Sequence, residues 1–170
     1  HIEKPLARNL TECGDILNEI EARDIKLSYG TTRRYMGVYR EAGKLVRNGA
    51  IGELRHIAIE HGRDLLLWGH PHSIDLLLFF SDCNKIDYVQ GNLHIDPVDV
   101  RGSIVDSDPV LESASIRFGN GIIGTITQSG GLNVRLTGTE GTLAVLADGT
   151  EIELRRRGQG SAYFLEKVVS

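Results

Sequence analysis

Apolar positions recur at helical spacing early in the chain and at alternating spacing late in it. Leu10, Cys13, Ile16, Leu17 and Ile20 fall on one side of a 3.6-residue period. Asn9-Leu10-Thr11-Glu12 before them reads as an N-cap with an acid three residues on. Together they predict a helix over 10–22. Ile25 to Tyr29 reads as a short strand. Val38, Tyr39, Ala42, Leu45 and Val46 share one side of a second helix over 35–47, and Asn48-Gly49 is a good stop for it. A strand follows near 54–62. Pro71 suits the first position of a third helix over 71–81. Its run Ile74 to Phe80 is apolar nearly all round except at Asp75, the pattern of a helix covered on most sides.

From about residue 86 the period changes. Beta-rich stretches stand at 86–95, 111–118, 122–129, 133–137, 142–147 and 150–156, and turn signals at 119–121, 138–141 and Asp148-Gly149 separate them. Helices in the first half and a strand meander in the second predict an α+β fold: a large, mainly antiparallel open sheet with helices packed on one face.

Composition narrows the function classes. The 170 residues suit one domain, and a hydrophobic fraction of 41% suffices for a core. A net charge of −4 offers no basic field for nucleic acid. No apolar run approaches the roughly 20 residues that span a bilayer. Cys13 and Cys83 are far apart and in no metal-ligand pattern, so they read as two reduced, partly buried thiols; with no secretory signal visible, a cytoplasmic location is expected.

Phe118 to Thr125, FGNGIIGT, contains Gly-x-Gly-x-x-Gly. A dinucleotide fingerprint with that spacing follows a strand and opens a helix, whose amides hold the pyrophosphate. Here a β-branched alternating stretch follows, and Asn120-Gly121 is a preferred turn pair. The segment therefore reads as a hairpin, and no dinucleotide-binding unit is expected in this chain.

Two stretches carry candidate chemistry. Lys4 precedes Pro5, which disfavours helical backbone and fixes where an ammonium projects. His72 falls in the first turn of the third helix, where the positive dipole end disfavours imidazolium and leaves a neutral base near pH 7. Asp75, three residues on, could orient that ring, or the two could be no more than a polar pair closing the helix start. His70-x-His72 on a strand could share a metal, but Pro71 argues for a helix start and no further ligands stand at suitable spacing. No metal site is expected.

EKPLARN at the start, Gly49 to Glu53 (GAIGE), a His-x-x-Asp helix and a glycine-punctuated sheet ending in LTGTEGTLAV together resemble the glucose–fructose oxidoreductase / inositol dehydrogenase (Gfo/Idh/MocA) family, over essentially the whole chain and in order. The resemblance implies a second domain spanning 1–170. Residues 1–8 would be the junction from an N-terminal Rossmann domain that binds NAD or NADP. It implies that Glu3, Lys4 and Pro5 meet the cofactor, and that Lys4 and His72 are catalytic. Asp75 and His70 would support them; Arg34, Tyr35, His61, Arg63 and Trp68 are weaker substrate-side candidates. Members often carry an Asp four residues before the histidine. Trp68 stands there, and Trp cannot relay a proton, so either His70 or Asp64 would take part of that role or the chemistry would differ from plain inositol-type dehydrogenation.

The implied reaction is hydride transfer from a hydroxyl-bearing carbon of a sugar or cyclitol. The implied partners are a small polyol-like substrate and further copies of the chain, as a homodimer or homotetramer through the sheet face. Ser113, Ser115, Thr125, Thr127 and Ser129 give that face its small polar character. Two other readings stay open: an NAD-dependent glycosidase of the same family, and a non-catalytic sugar-binding or assembly module.

Overall fold

Local signals fix the helices. In the computed structural model, which describes residues 1–158 and 165–169, α1 is Leu10–Ala22, α2 Gly37–Arg47 and α3 Pro71–Ser81. Extended Asn9 caps α1, its side-chain oxygen accepting from the Glu12 N–H at 2.9 Å. α3 opens on Pro71, whose missing N–H would have no partner there anyway, and ends at Asp82 in the left-handed region. The predicted 35–47 helix is two elements. Arg33–Tyr35 forms a separate 3₁₀ turn, Met36 is extended (φ −67°, ψ 141°), and α2 begins after it.

The strands are β1 Leu54–His61, β2 Ile86–His94, β3 Val100–Arg101, β4 Ile104–Val105, β5 Val110–Phe118, β6 Ile123–Gln128, β7 Asn133–Gly138, β8 Gly141–Leu146, β9 Glu151–Arg157 and β10 Leu165–Val169. Eight of them form one sheet in the order β10-β9-β8-β7-β1-β6-β5-β2, and β3 and β4 pair apart from it. Every pairing in the large sheet is antiparallel except β1 with β6. The meander expected from the second half is therefore interrupted at its centre. β1, from the helical half, sits between β7 and β6, and the long connection through α3 lets it run parallel to β6. Ile25 to Tyr29 does not form the predicted strand. Tyr29 makes one isolated bridge to Ile2, flanked by Ile2 N–H to Ser28 O and Gly30 N–H to Ile2 O, both 2.9 Å.

FGNGIIGT is a hairpin between β5 and β6. The Gly121 N–H donates to Phe118 O at 2.8 Å and the Phe118 N–H to Ile122 O at 2.9 Å. Only Gly121 (φ 86°) is left-handed, so this is a three-residue loop with a glycine bulge, not a two-residue turn on Asn120-Gly121. Gly124 admits α3 closely, since a Cβ there would lie 2.9 Å from Leu77 Cδ2.

One face of the sheet is apolar and one is open. Ile57 and Ile59 of β1, Ile126, Ile116, Phe118, Val134, Leu136, Leu143 and Val145 meet Tyr39 and Ala42 of α2 and Leu76, Leu77 and Phe80 of α3. The opposite face runs through Ser115, Thr125, Ala58 and Arg135 in register. α1, by contrast, buries none of its residues. Among the described residues, no helix is long and apolar enough to cross a membrane.

Candidate active site

The N-terminal segment, the start of α3, the end of β1 and the β8–β9 turn converge on one region. Lys4 holds its ammonium 3.5 Å from the centroid of the Trp68 ring and donates to the Trp68 carbonyl. Cation and ring thus fix each other. Trp68 is in turn held by Asp108, whose carboxylate accepts from the Leu67 and Trp68 N–H groups at 2.8 and 2.9 Å. Two residues on, His70 is 1% exposed and caps α3 through its backbone, with no cap bond from its side chain. Its ring meets His61, the last residue of β1, edge to face at 4.8 Å between centroids.

Polar satisfaction fails here. Both His70 ring nitrogens, Nδ1 of His61, Nδ1 of His72 and Oγ of Ser73 are buried without a hydrogen-bond partner. Buried polar groups are nearly always paired, and leaving one unpaired costs about 1–3 kcal/mol. Five such atoms in one place suit a site whose partners arrive with a ligand or enclosed water.

Electrostatics keep the three rings neutral. Burial pushes all three below the ordinary imidazole value. After burial, the positive charges of Arg33 and then Lys4 push His72 further down. Asp75 acts in the opposite sense on His72 but does not bond it. Its carboxylate is taken by Arg34, at 2.6 and 2.8 Å, and Arg34 also reaches the Asp75 carbonyl at 3.2 Å. Neither the predicted orienting role of Asp75 nor the predicted His72–Asp75 pair is formed, because a guanidinium fork outcompetes an imidazole for a carboxylate. Arg34 is correspondingly committed to a structural partner.

The remaining candidates divide. Trp68, 61% exposed, flanks Lys4 as described. Arg63 is exposed, as is Tyr35 at 67%, and neither enters this cluster. Glu3 turns to His1, 2.9 Å from its Nε2. The Lys4-Pro5 peptide bond is cis. Among the described residues no group of three or more His, Cys, Asp or Glu could hold a metal, and His70 and His72 bracket a helix start rather than share a strand face.

Sequence reasoning passed over Arg33, Tyr39 and Asp148. Asp148 sits in the left-handed β8–β9 turn (φ 51°) and takes the Arg33 guanidinium at 2.8 and 3.1 Å. That pairing holds its carboxyl below the ordinary value. Tyr39 donates to the same carboxylate at 3.4 Å, and burial followed by the Asp148 charge pushes its phenol up to about 12. Asp148-Gly149 was legible only as a turn. The aspartate's second use depends on a partner 115 residues away.

No family model and no curated protein matches the chain by sequence. Solved structures do. Levoglucosan dehydrogenase in complex with NADH and L-sorbose superposes with a TM-score of 0.77 at 20% identity, over 99% of this chain and 53% of that one. The aldose-aldose oxidoreductase of Caulobacter crescentus, complexed with glycerol, gives 0.71 at 18%, over 98% and 54%. A super-repressor mutant of Gal80p from Saccharomyces cerevisiae gives 0.74 at 17%, over 98% and 52%. The fold is theirs. It is the fold that the Gfo/Idh/MocA resemblance implies, and the chain spans about half the length of each structure it matches. Two of these neighbours are sugar oxidoreductases and one is a repressor, so the shared fold serves more than one use.

Proposed function

We propose that residues 1–170 form the substrate-side and oligomerising domain of an NAD(P)-dependent oxidoreductase that oxidises a hydroxyl of a sugar, cyclitol or related small polyol. The observation that carries this reading is the ammonium of Lys4 fixed on Trp68, four residues before His72, an imidazole whose Nδ1 is enclosed without a partner. Enclosure of Nδ1 leaves Nε2 of His72 as the nitrogen able to meet a ligand. In the forward direction His72 takes the hydroxyl proton, and the Lys4 ammonium stabilises the charge that grows on that oxygen as the carbonyl forms. A nicotinamide, when bound, supplies the acceptor for the hydride leaving the same carbon.

Among the described residues nothing builds a dinucleotide cradle, since the one Gly-x-Gly-x-x-Gly is a hairpin with no helix after it. The dinucleotide would be held by a module outside residues 1–170, with Glu3 to Pro5 at the junction. The open sheet face, rich in Ser and Thr, would pair with a second copy to give a dimer or tetramer.

One observation favours a second reading, a sugar-binding regulator without turnover. Trp68 stands where the resemblance implies a proton-relaying Asp, and its ring is committed to Lys4. The test is to assay the longer protein against a panel of sugars, inositols and aryl glycosides with NAD and NADP. Oxidation that falls by about 10²–10⁴-fold in both Lys4→Ala and His72→Ala supports the dehydrogenase. Saturable sugar binding without cofactor reduction supports the regulator, and aglycone release with the cofactor's redox state restored would mark a glycosidase. Oxidation that survives Lys4→Ala removes the assignment.

A further inference from the structure

α2 carries Arg40, Lys44 and Arg47 at i, i+4 and i+7, all exposed. Like charges at that spacing weaken a helix. Lys44 and Arg47 occupy the last turn, where the dipole favours cations, but Arg40 does not. Opposite them stand Arg34, Tyr35 and Phe79, and the six residues line a cavity of about 520 Å³, a volume in the range of small-molecule sites. The Arg34 and Arg47 guanidinium groups each lie 5.8 Å from the centroid of the Phe79 ring. Gly43 makes room for this arrangement. A Cβ there would fall 3.0 Å from Phe79 Cζ and 3.2 Å from each terminal nitrogen of Arg47. The bond to Asp75 fixes Arg34 as well.

The charges around this cavity do not balance. Asp75 meets Arg34, and Glu41 meets Lys44 at 3.4 Å. Arg40 and Arg47 take part in no ion pair among the described residues, although the chain as a whole carries a net charge of −4. Four cations face two carboxylates around a concavity with an aromatic wall.

We propose that this cavity binds the phosphoryl group of a small phosphorylated molecule. Guanidinium forks match phosphate oxygens two at a time, and Phe79 and Tyr35 give the organic part a surface to lie on. Lys4, His61, His70 and His72 do not line the cavity, so the proposal stands whether or not the chain serves a dehydrogenase.

The experiment titrates the 170-residue chain with inorganic pyrophosphate, glucose 6-phosphate and glucose at constant ionic strength, following the backbone amide signals of Gly43 and Phe79. Saturable shifts with pyrophosphate and glucose 6-phosphate, and none with glucose, are expected. Saturation by pyrophosphate without glucose 6-phosphate would overturn the assignment to a phosphorylated organic molecule. Arg40→Ala and Arg47→Ala should each weaken binding by about tenfold or more, with Arg47→Lys between wild type and Arg47→Ala. The Arg40 variant keeps the test sound if the loss of Arg47 from the Phe79 ring lowers the melting temperature. Shifts that follow salt concentration alone, or binding unchanged in both alanine variants, would overturn the proposal.

Discussion

β1 carries a histidine toward each face of the sheet, and the two meet opposite circumstances. His56 faces the open side, where its Nε2 lies 3.1 Å from Thr125 Oγ1 on the neighbouring strand. His61 shares the parity of Ile57 and Ile59 and turns toward the helices, where its Nδ1 is enclosed without a partner and its ring meets the equally orphaned His70. Burial lowers the pKa of both. Desolvation therefore does not distinguish them; the missing partner does. A half-buried histidine with a partner belongs to the framework. Buried ring nitrogens without one, at His61, His70 and His72, mark the region where a site is proposed.

The largest effect that would sharpen this contrast comes from His70→Leu. If the enclosed ring serves only the fold, an apolar replacement of similar size removes a desolvation penalty and repacks at no loss. Stability should then rise by about 1–2 kcal/mol, or roughly 3–6 °C in melting temperature for a chain of this length. If the ring also serves the site, turnover of the longer protein should fall at the same time, with the loss in kcat rather than KM. Calorimetry together with steady-state kinetics reads both. A variant that loses stability would show that enclosed water already satisfies the ring, and the contrast with His56 would break.

Acid titration gives the next effect. His56, His61, His70 and His72 all titrate below the ordinary value of 6.5 in the folded chain. Below that value the unfolded chain binds protons that the folded chain refuses, so stability rises with pH through this window. It should be fully present above about pH 6.5, fall as pH drops through the window, and level off below the folded values. The surrounding charges modulate the drop without reversing it. Asp64 and Asp108 raise His70 while His61 lowers it; Asp64 and Asp148 raise His61 while Arg33 lowers it; Asp75 and Asp148 raise His72 while Arg33 and Lys4 lower it. Asp148 is held ionised by Arg33 and adds no slope here. Melting temperatures between pH 8 and 5 should therefore decline on the acid side, and the decline should be shallower in His70→Leu; equal slopes would separate His70 from the acid response.

What the sequence disclosed, and what it withheld, follows the same division between local and distant causes. Asn9 and Glu12 set the start of α1, Pro71 sets that of α3, and Gly121 sets a hairpin; each signal lies within four residues of its effect. The apolar wrap around α3 announced its burial. Yet α1, marked just as clearly, buries nothing, and β1 joins the centre of a sheet built from residues far along the chain. Lys4 was legible as a placed cation, His72 as a candidate base, His70 as its support and His61 as a weaker substrate-side residue. Their relations were not: spacing pairs Asp75 with His72, but Asp75 is bound to Arg34 across 41 residues, and Arg33 finds Asp148 because the β8–β9 turn presents it. Spacing along a helix shows which groups could meet. It does not show which competitor arrives from elsewhere in the fold.

The smallest effect tests the other half of the contrast. Thr125→Val removes the side-chain partner that His56 has among the described residues while keeping a β-branched residue that suits β6. The half-buried imidazole loses a hydrogen bond, and the strand loses nothing in propensity. A cost of about 0.5–1 kcal/mol is expected, below the usual desolvation cost because His56 can turn toward solvent on the open face. Thermal unfolding of the single variant, of His56→Phe and of the pair would give the coupling between the two side chains. A coupling near zero would mean that His56 is as unsupported as His61. The presence of a partner would then no longer separate framework from site on this strand.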